Sequence, residues 1–262
     1  MLLCATTGLV FGQDQQKTRN QKKEEHKQKI RQLIKEEEEG ALIFSKQSAF
    51  GIKLNTDGYG VFYEHGKYKD INHTGLWWLE LGERKSQKEE KLTRGYNGFE
   101  IGNPFIFGKI NNFYYFKAGI GQQRLIGGKG NKNGVAVTAI YGAGLSAGFL
   151  KPYYLSVQDE TGNIVDVKYS AANDSTFRDK GNSIILGASG ISKGFSDAKF
   201  VPGAHARVAL RFDYGRYNEL LSAVEVGLNA EYYSKNMQIM LDNEGKKFFF
   251  NAYVALAFGK RK

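Results

Sequence analysis

Few side chains in this 262-residue sequence have the type and spacing needed for acid-base or metal chemistry. The four histidines are His26, His65, His73 and His205, and no two of them share a metal-ligand spacing such as i, i+4 on a helix. The single cysteine, Cys4, lies in an apolar segment at the start of the sequence. A lone histidine on a strand is more often a structural hydrogen-bonding group than a catalyst. We therefore expect no metal site and a structural role for His205.

Nucleophilic and phosphate-binding motifs are also incomplete. Ser189 stands in residues 187–190, which lack the Gly-x-Ser-x-Gly pattern of a nucleophile elbow, and no serine can be paired with a histidine from the sequence. The glycine- and lysine-rich stretch 127–134 has no Lys-Ser/Thr at P-loop spacing. Residues 55–58 are only a fragment of a calcium-binding loop. The sequence therefore predicts no catalytic residue, no metal and no cofactor.

The net charge of +10 suggests an anionic partner. The lysines are spread through turns and both ends of the chain instead of forming one stripe, and the aromatic-basic interleaving of RNA-binding sheets is absent. We therefore expect no nucleic acid. A basic exterior is better matched to anionic lipid head groups, so the predicted partner is outer-membrane lipid or lipopolysaccharide.

Many of the charged side chains belong to segments with a period of two, which is the period of a strand. In residues 204–214 the even positions are all apolar, and in residues 220–232 most even positions are apolar as well. The opposite face of the two segments holds His205, Arg207, Arg211, Asp213, Glu225 and Glu231. Charges of both signs on one face can pair with each other, so these six residues are the candidate lumen charge network.

Two architectures produce this alternation. In a soluble sandwich or barrel the apolar face points inward, whereas in a membrane barrel it faces lipid and the interior is polar. Soluble strands average about 5–6 residues, but several segments here keep their alternation over ten residues or more, and about 9–11 residues cross a bilayer at a tilt. Length and the mixed small and charged residues on the polar face favour the membrane barrel.

Residues 135–150 allow a second interpretation. They are uncharged and contain Gly144 and Gly148 at the spacing of a helix-dimerisation motif. The regular alternation of their odd positions and their glycine content favour a strand over this helix.

The beginning of the sequence differs in composition from the rest. Residues 1–12 are apolar and uncharged and end in small residues suited to cleavage, which predicts a signal peptide. A basic n-region is missing, so a short buried segment is the alternative. Residues 13–40 are rich in Lys, Arg, Glu and Gln, with one short apolar stripe, which predicts a charged periplasmic helix or spacer. Residues 41–262 are assigned to the barrel.

The fold class predicted from these segments is all-β, an antiparallel up-and-down transmembrane β-barrel with a short N-terminal helix. We expect both termini in the periplasm, which requires an even number of strands. The turn signals give ten strands, or twelve if a hairpin within residues 152–169 joins the barrel. That hairpin is expected to turn at residues 159–163, and a helical turn is expected near residues 174–179.

Several segments resemble uncharacterised outer-membrane β-barrel proteins of the Bacteroidota. The resemblance is carried by residues 102–114, 128–134, 150–155, 212–216 and 258–262 and extends over residues 40–262. It implies a fold and a location in the outer membrane of a Gram-negative bacterium, and it implies no activity. One departure is the C-terminus, where four residues follow the terminal aromatic Phe258.

The sequence thus favours a structural or accessory role in an outer-membrane assembly or transport complex. A periplasmic or outer-membrane protein partner would be met through the N-terminal helix or through residues 151–182. Two alternatives stay open, a narrow solute channel and a lipid-directed outer-membrane hydrolase. The hydrolase would need a nucleophile beside a base and an orienting acid.

Overall fold

The computed structural model describes residues 24, 27, 45–70, 72–96, 99–129, 134–178, 184–215 and 219–262. The described residues from 45 onward form thirteen strands, one 3-10 helix and one short α-helix. The strands are β1 (Lys46–Asn55), β2 (Gly58–Asp70), β3 (His73–Arg84), β4 (Lys91–Tyr96), β5 (Phe99–Ile106), β6 (Asn111–Gly127), β7 (Ala136–Pro152), β8 (Tyr154–Gln158), β9 (Ile164–Lys168), β10 (Ile185–Ala188), β11 (Lys199–Asp213), β12 (Leu220–Met237) and β13 (Lys246–Arg261). The 3-10 helix is Ala171–Asn173, and helix α1 is Asp174–Arg178.

Eight of the strands form a closed antiparallel barrel. Around the ring the order is β1, β2, β3, β6, β7, β11, β12 and β13, and β13 pairs with β1 to close it. Strand β1 begins and strand β13 finishes at the same end of the barrel, which we call the terminus end. The connections β2–β3, β6–β7 and β11–β12 also lie there. The long connections β3–β6 and β7–β11 lie at the opposite end.

The barrel wall is apolar outside and polar inside. On the outer face Leu145 is 75 % exposed and Ile120 is 73 % exposed, whereas Arg211 on the inner face is 0 % exposed. All eight strands carry exposed or half-exposed apolar side chains on the outer face. The period of two read from the sequence therefore separates the two faces of the wall, and the apolar face points away from the barrel axis.

Large aromatic rings fill much of the lumen because glycines leave room for them. Trp78 is fully buried. A Cβ atom on Gly119 would stand 2.3 Å from Cζ2 of Trp78, and one on Gly142 would stand 2.6 Å from its Cη2. A larger residue at either position would displace the indole ring, so the glycines of the inner face are part of the packing.

The five remaining strands and helix α1 lie at the end of the barrel opposite the terminus end. Strands β8, β9 and β10 form one small sheet, with β8 in the middle, and β4 pairs with β5. They share a core of their own, built from Phe105, Leu155, Val157, Phe177 and Ile185. We call this unit, with the connections that carry it, the cap, and the end of the barrel that bears it the cap end.

The structure corrects the predicted strand count of ten or twelve to eight. The surplus strands exist, but they pair within the cap. The hairpin predicted at residues 159–163 is confirmed as β8–β9, and the helical turn is confirmed as α1. The strand predicted over residues 135–150 is confirmed as β7, so its helical alternative is wrong.

The predicted signal segment 1–12 lies outside the described residues. Of the predicted charged helix 13–40, only Glu24 and Lys27 are described, and both are helical and exposed. Among the described residues, no helix has the length and apolar character that crossing a membrane demands.

Candidate functional site

The inner face of the barrel carries two clusters of buried charges, and the first is centred on Arg211. This guanidinium donates to Glu225 Oε2 from Nε at 3.0 Å and to Glu64 Oε2 from Nη2 at 2.8 Å. Strands β2 and β11 are four places apart in a ring of eight, so the bond between Glu64 and Arg211 crosses the full width of the lumen. All three side chains are at most 1 % exposed.

Arg207 and Tyr253 complete this cluster. The Arg207 guanidinium carbon lies 3.9 Å from the centre of the Trp78 ring, and its Nη2 lies 3.4 Å from Glu64 Oε2. Tyr253 donates its hydroxyl proton to Glu225 Oε1 at 2.5 Å. The two carboxylates thus meet two guanidiniums and a phenol, which compensates for their removal from water.

The second cluster lies nearer the cap end. Glu80 accepts from Lys53 Nζ at 2.8 Å and from Lys117 Nζ at 3.1 Å. Lys117 also reaches Glu231 Oε1 at 2.5 Å. Arg84 on β3 pairs with Glu231 on β12, again between strands four places apart in the ring. This cluster therefore links strands on opposite sides of the lumen, as the first one does.

Asp213 lies apart from both clusters, close to the terminus end. Its Oδ2 is 2.5 Å from Arg261 Nη1, and its Oδ1 accepts from the backbone amide of Gly215 at 2.9 Å. Lys129 Nζ stands 3.9 Å from Oδ1. Asp213 thus connects the end of β11 to the last residues of β13.

His205 is enclosed within the lumen. The indole N–H of Trp78 can only donate, so His205 Nε2 accepts this hydrogen bond, with 3.3 Å between Trp78 Nε1 and His205 Nε2. A neutral ring then carries its own proton on Nδ1, which lies 3.1 Å from Ser146 Oγ. With 5 % exposure and both ring nitrogens engaged, His205 has a structural setting and no open face for a substrate.

The structure places all six residues of the candidate network on the inner face. It brings Arg207, Arg211 and Glu225 into one cluster, puts Glu231 in the other, and leaves Asp213 and His205 at separate positions. The residues that the sequence reasoning missed include Glu64, Glu80, Lys53, Lys117 and Arg84. The same alternation puts Lys53, Glu80 and Lys117 on the polar faces of residues 48–55, 77–82 and 114–121, but it gives no signal of which charges meet across the lumen.

A second polar group lies in the cap. Asp166 Oδ1 accepts from Ser156 Oγ and from Ser189 Oγ, each at 2.7 Å, and Lys193 Nζ lies 2.5 Å from Oδ2. The hydrogen bond from Lys193 contributes most, and those from the two serines add to it, in lowering the pKa of Asp166 from 3.8 to about 2. The carboxylate thereby joins β8, β9 and the segment after β10.

Neither polar region has the donor set of a metal site. Within the described parts of the chain, no three His, Cys, Asp or Glu side chains come together in a way that could hold a metal ion. In the barrel, the carboxylates are satisfied by lysine and arginine, which is the arrangement of a structural ionic core.

No known family model matches this sequence, and no curated protein matches it. Superposition on solved structures gives Ail, the attachment invasion locus protein of Yersinia pestis, with 9 % identity over 84 % of this chain and 100 % of that one, at a TM-score of 0.37. Neisserial surface protein A has 8 % identity over 83 % of this chain and 95 % of that one, at a TM-score of 0.36. The N-terminal β-barrel domain of Pseudomonas aeruginosa OprF has 9 % identity over 82 % of this chain and 98 % of that one, at a TM-score of 0.35. At these identities and scores, the similarity carries no inference about function.

Proposed function

We propose that this chain is an outer-membrane β-barrel protein of a Gram-negative bacterium, whose barrel anchors the cap at the cell surface. The observation that carries this proposal is the inverted distribution of side chains, with apolar residues exposed around the ring and charged residues buried within it. Monomeric soluble proteins rarely expose contiguous apolar patches larger than a few hundred Å². A lipid environment removes the cost of this surface, and wall strands of 10–18 residues are long enough to cross the bilayer.

The arrangement of the connections supports an orientation. Outer-membrane barrels have short periplasmic turns and longer extracellular loops. The terminus end carries the short β2–β3 connection, and the cap end carries the two long connections with their own folded core. The proposed orientation therefore puts the terminus end in the periplasm and the cap outside the cell, where it can meet a partner.

The filled lumen supports an anchoring role over the alternative of a solute channel. The side chains that span the width of the barrel are at most 2 % exposed and so are shielded from water, namely Glu64, Glu80, Lys117, Arg211 and Glu231. A conducting pore would leave such side chains in contact with water. The hydrolase alternative would need an accessible base, and the enclosed position of His205 argues against that role.

The test combines four measurements on the full chain. We expect the gel mobility of the protein to change on heating, and we expect the protein to float with outer-membrane vesicles. Protease added to intact cells should cleave the cap. We also expect no conductance in planar bilayers. Recovery in the soluble fraction without detergent would overturn the membrane assignment, and steady single-channel conductance would overturn the closed lumen.

A further inference from the structure

A groove of about 700 Å³ runs along the outer wall near the terminus end, over strands β2, β3, β6 and β7. Its centre is Gly75, which has no side chain and leaves a gap in the outer face. In register across the four strands, Lys67 lies beside Gly75, Gly75 beside Gln122, and Gln122 beside Tyr141. We call this groove the Gly75 notch.

The side of the notch toward the middle of the barrel is largely apolar, and the half-buried imidazole of His65 lies there beside Trp77, with ring centres 5.9 Å apart. Trp77 is 42 % exposed and Ile120 is 73 % exposed, and they are register partners directly next to the Gly75 row. Tyr141 closes one flank and donates its hydroxyl proton to Gln122 Oε1 at 2.9 Å. This half of the notch presents a surface suited to a hydrocarbon chain lying along the wall.

The side of the notch toward the terminus end is basic. Lys67 and Lys69 are both exposed, and Lys69 bends over Gly75, with its Cε 3.3 Å from the position that a Cβ on Gly75 would take. Among the described residues, no carboxylate oxygen lies within 4.0 Å of either lysine Nζ. In this they differ from the lumen lysines Lys53 and Lys117, which are paired with Glu80.

We propose that the Gly75 notch binds one anionic diacyl glycerophospholipid, with its phosphate on Lys67 and Lys69 and an acyl chain along Trp77 and Ile120. The assignment rests on the proposed function, because it requires the outer wall to face lipid. It commits to a glycerophospholipid because the notch lies near the terminus end, which faces the periplasmic leaflet in the proposed orientation. The assignment is argued from the opposite charges of the two lysines and a lipid phosphate. It is also argued from the change from an apolar to a basic surface across the gap at Gly75.

The experiment uses the full chain refolded into vesicles and then extracted in mild detergent for native mass spectrometry. The probes are phosphatidylglycerol and phosphatidylcholine with the same acyl chains. We expect one tightly held phosphatidylglycerol on the unmodified protein. Each lysine near an anionic surface contributes roughly a fivefold gain in binding, so Lys67→Gln with Lys69→Gln should weaken retention about 25-fold.

Two further variants separate charge from shape. Gly75→Leu keeps both lysines but fills the gap, and it should abolish tight retention; the nearest obstacle is the flexible end of Lys69, so the wall itself need not move. Lys260→Gln is the matched control, because Lys260 is an exposed residue of the outer face at the same end, on β13, which β1 separates from β2 and which does not line the notch. It should retain phosphatidylglycerol as the unmodified protein does.

The outcomes distinguish this assignment from the proposed function. If the chain fails to float with vesicles, both are overturned. If it inserts but holds phosphatidylcholine equally well, or if Lys260→Gln loses as much lipid as the double variant, only the notch is overturned.

Discussion

Several buried charges in the lumen meet more than one partner of opposite charge. Arg211 lies between Glu64 and Glu225, and Lys117 lies between Glu80 and Glu231. Removing one member of such a group leaves its partners charged and without compensation, which costs about 3–5 kcal/mol for a buried pair. Replacing every member with neutral groups avoids that penalty. The two kinds of substitution should therefore have very different effects.

Arg211→Met tests this directly. The substitution leaves two buried carboxylates, Glu64 and Glu225, with Arg207 as the one guanidinium between them, so we expect the free energy of unfolding in lipid vesicles to fall by about 3–5 kcal/mol. Adding Arg207→Met, Glu64→Gln and Glu225→Gln to the same chain neutralises the whole cluster and should recover much of the loss. Denaturant titration followed by tryptophan fluorescence measures both variants.

Leu210→Met is the matched control, because Leu210 is the neighbouring residue on the outer face and is 43 % exposed. A conservative apolar exchange of this kind costs less than about 1.5 kcal/mol. If Arg211→Met destabilises the protein no more than Leu210→Met, the ionic core does not hold the barrel together as described.

Asp166 gives a pH dependence to the cap. Its pKa is lowered from 3.8 to about 2 by the hydrogen bonds from Lys193 and the two serines, so the charged form stabilises the folded cap. That contribution is fully present above pH 4 and is lost as the pH falls toward 2. We expect the difference in hydrogen exchange of β8 and β9 between the unmodified protein and Asp166→Asn to shrink from pH 5 to pH 2. A difference that is constant over this range would contradict the assignment.

The alternation of residues predicts which side chains of the β11–β12 hairpin share the inner face, but it does not predict their partners. Arg211 and Glu225 are direct register partners on neighbouring strands, and their proximity follows from the hairpin. The bond from Arg211 to Glu64 depends on the number of strands in the ring, because that number decides which strands stand opposite each other. A ring of ten would have put a different strand across from β11.

Among the elements, length separates the wall from the cap. The wall strands have 10–18 residues, whereas β4, β5, β8, β9 and β10 have 4–8. About 9–11 residues are needed to cross a bilayer, so the short strands could have been assigned to connections from the sequence. The predicted count of ten arose because turn signals mark the end of a strand without saying whether it reaches across a membrane.

Phe177→Ala tests whether the cap is a unit separate from the wall. Phe177 is 1 % exposed in the cap core and packs edge-on against Tyr169, with ring centres 5.6 Å apart. The cavity should cost about 3–5 kcal/mol, which a small core can hardly tolerate. We expect faster trypsin cleavage between β7 and β11, with the heat-dependent gel mobility of the barrel unchanged.

Ile191→Ala is the control within the same connection, since Ile191 is 81 % exposed and should leave the cleavage rate unaltered. Loss of the gel shift in Phe177→Ala would show that the wall depends on the cap core.

At the scale of the whole molecule, the apolar outer wall predicts that the cost of a charged substitution depends on its depth in the bilayer. An arginine on the lipid face costs about 2–4 kcal/mol at the midplane and about 0–1 kcal/mol near the interfaces. Val208, in the middle of β11, is 63 % exposed, and Phe200, at the cap end of the same strand, is 59 % exposed. Val208→Arg should therefore destabilise the inserted barrel much more than Phe200→Arg, as measured by unfolding in vesicles. Equal effects would contradict the proposed membrane position.

The bonds that cross the lumen also constrain how quickly the molecule can form. Glu64 and Arg211 are 147 positions apart in the chain, and so are Arg84 and Glu231. Contacts between such distant positions make folding slow. Their charges meet only after the sheet has curved through a full circle, and an incomplete sheet must keep them in contact with water. Closure and insertion should therefore occur together, as one slow kinetic phase with no inserted, open-sided intermediate.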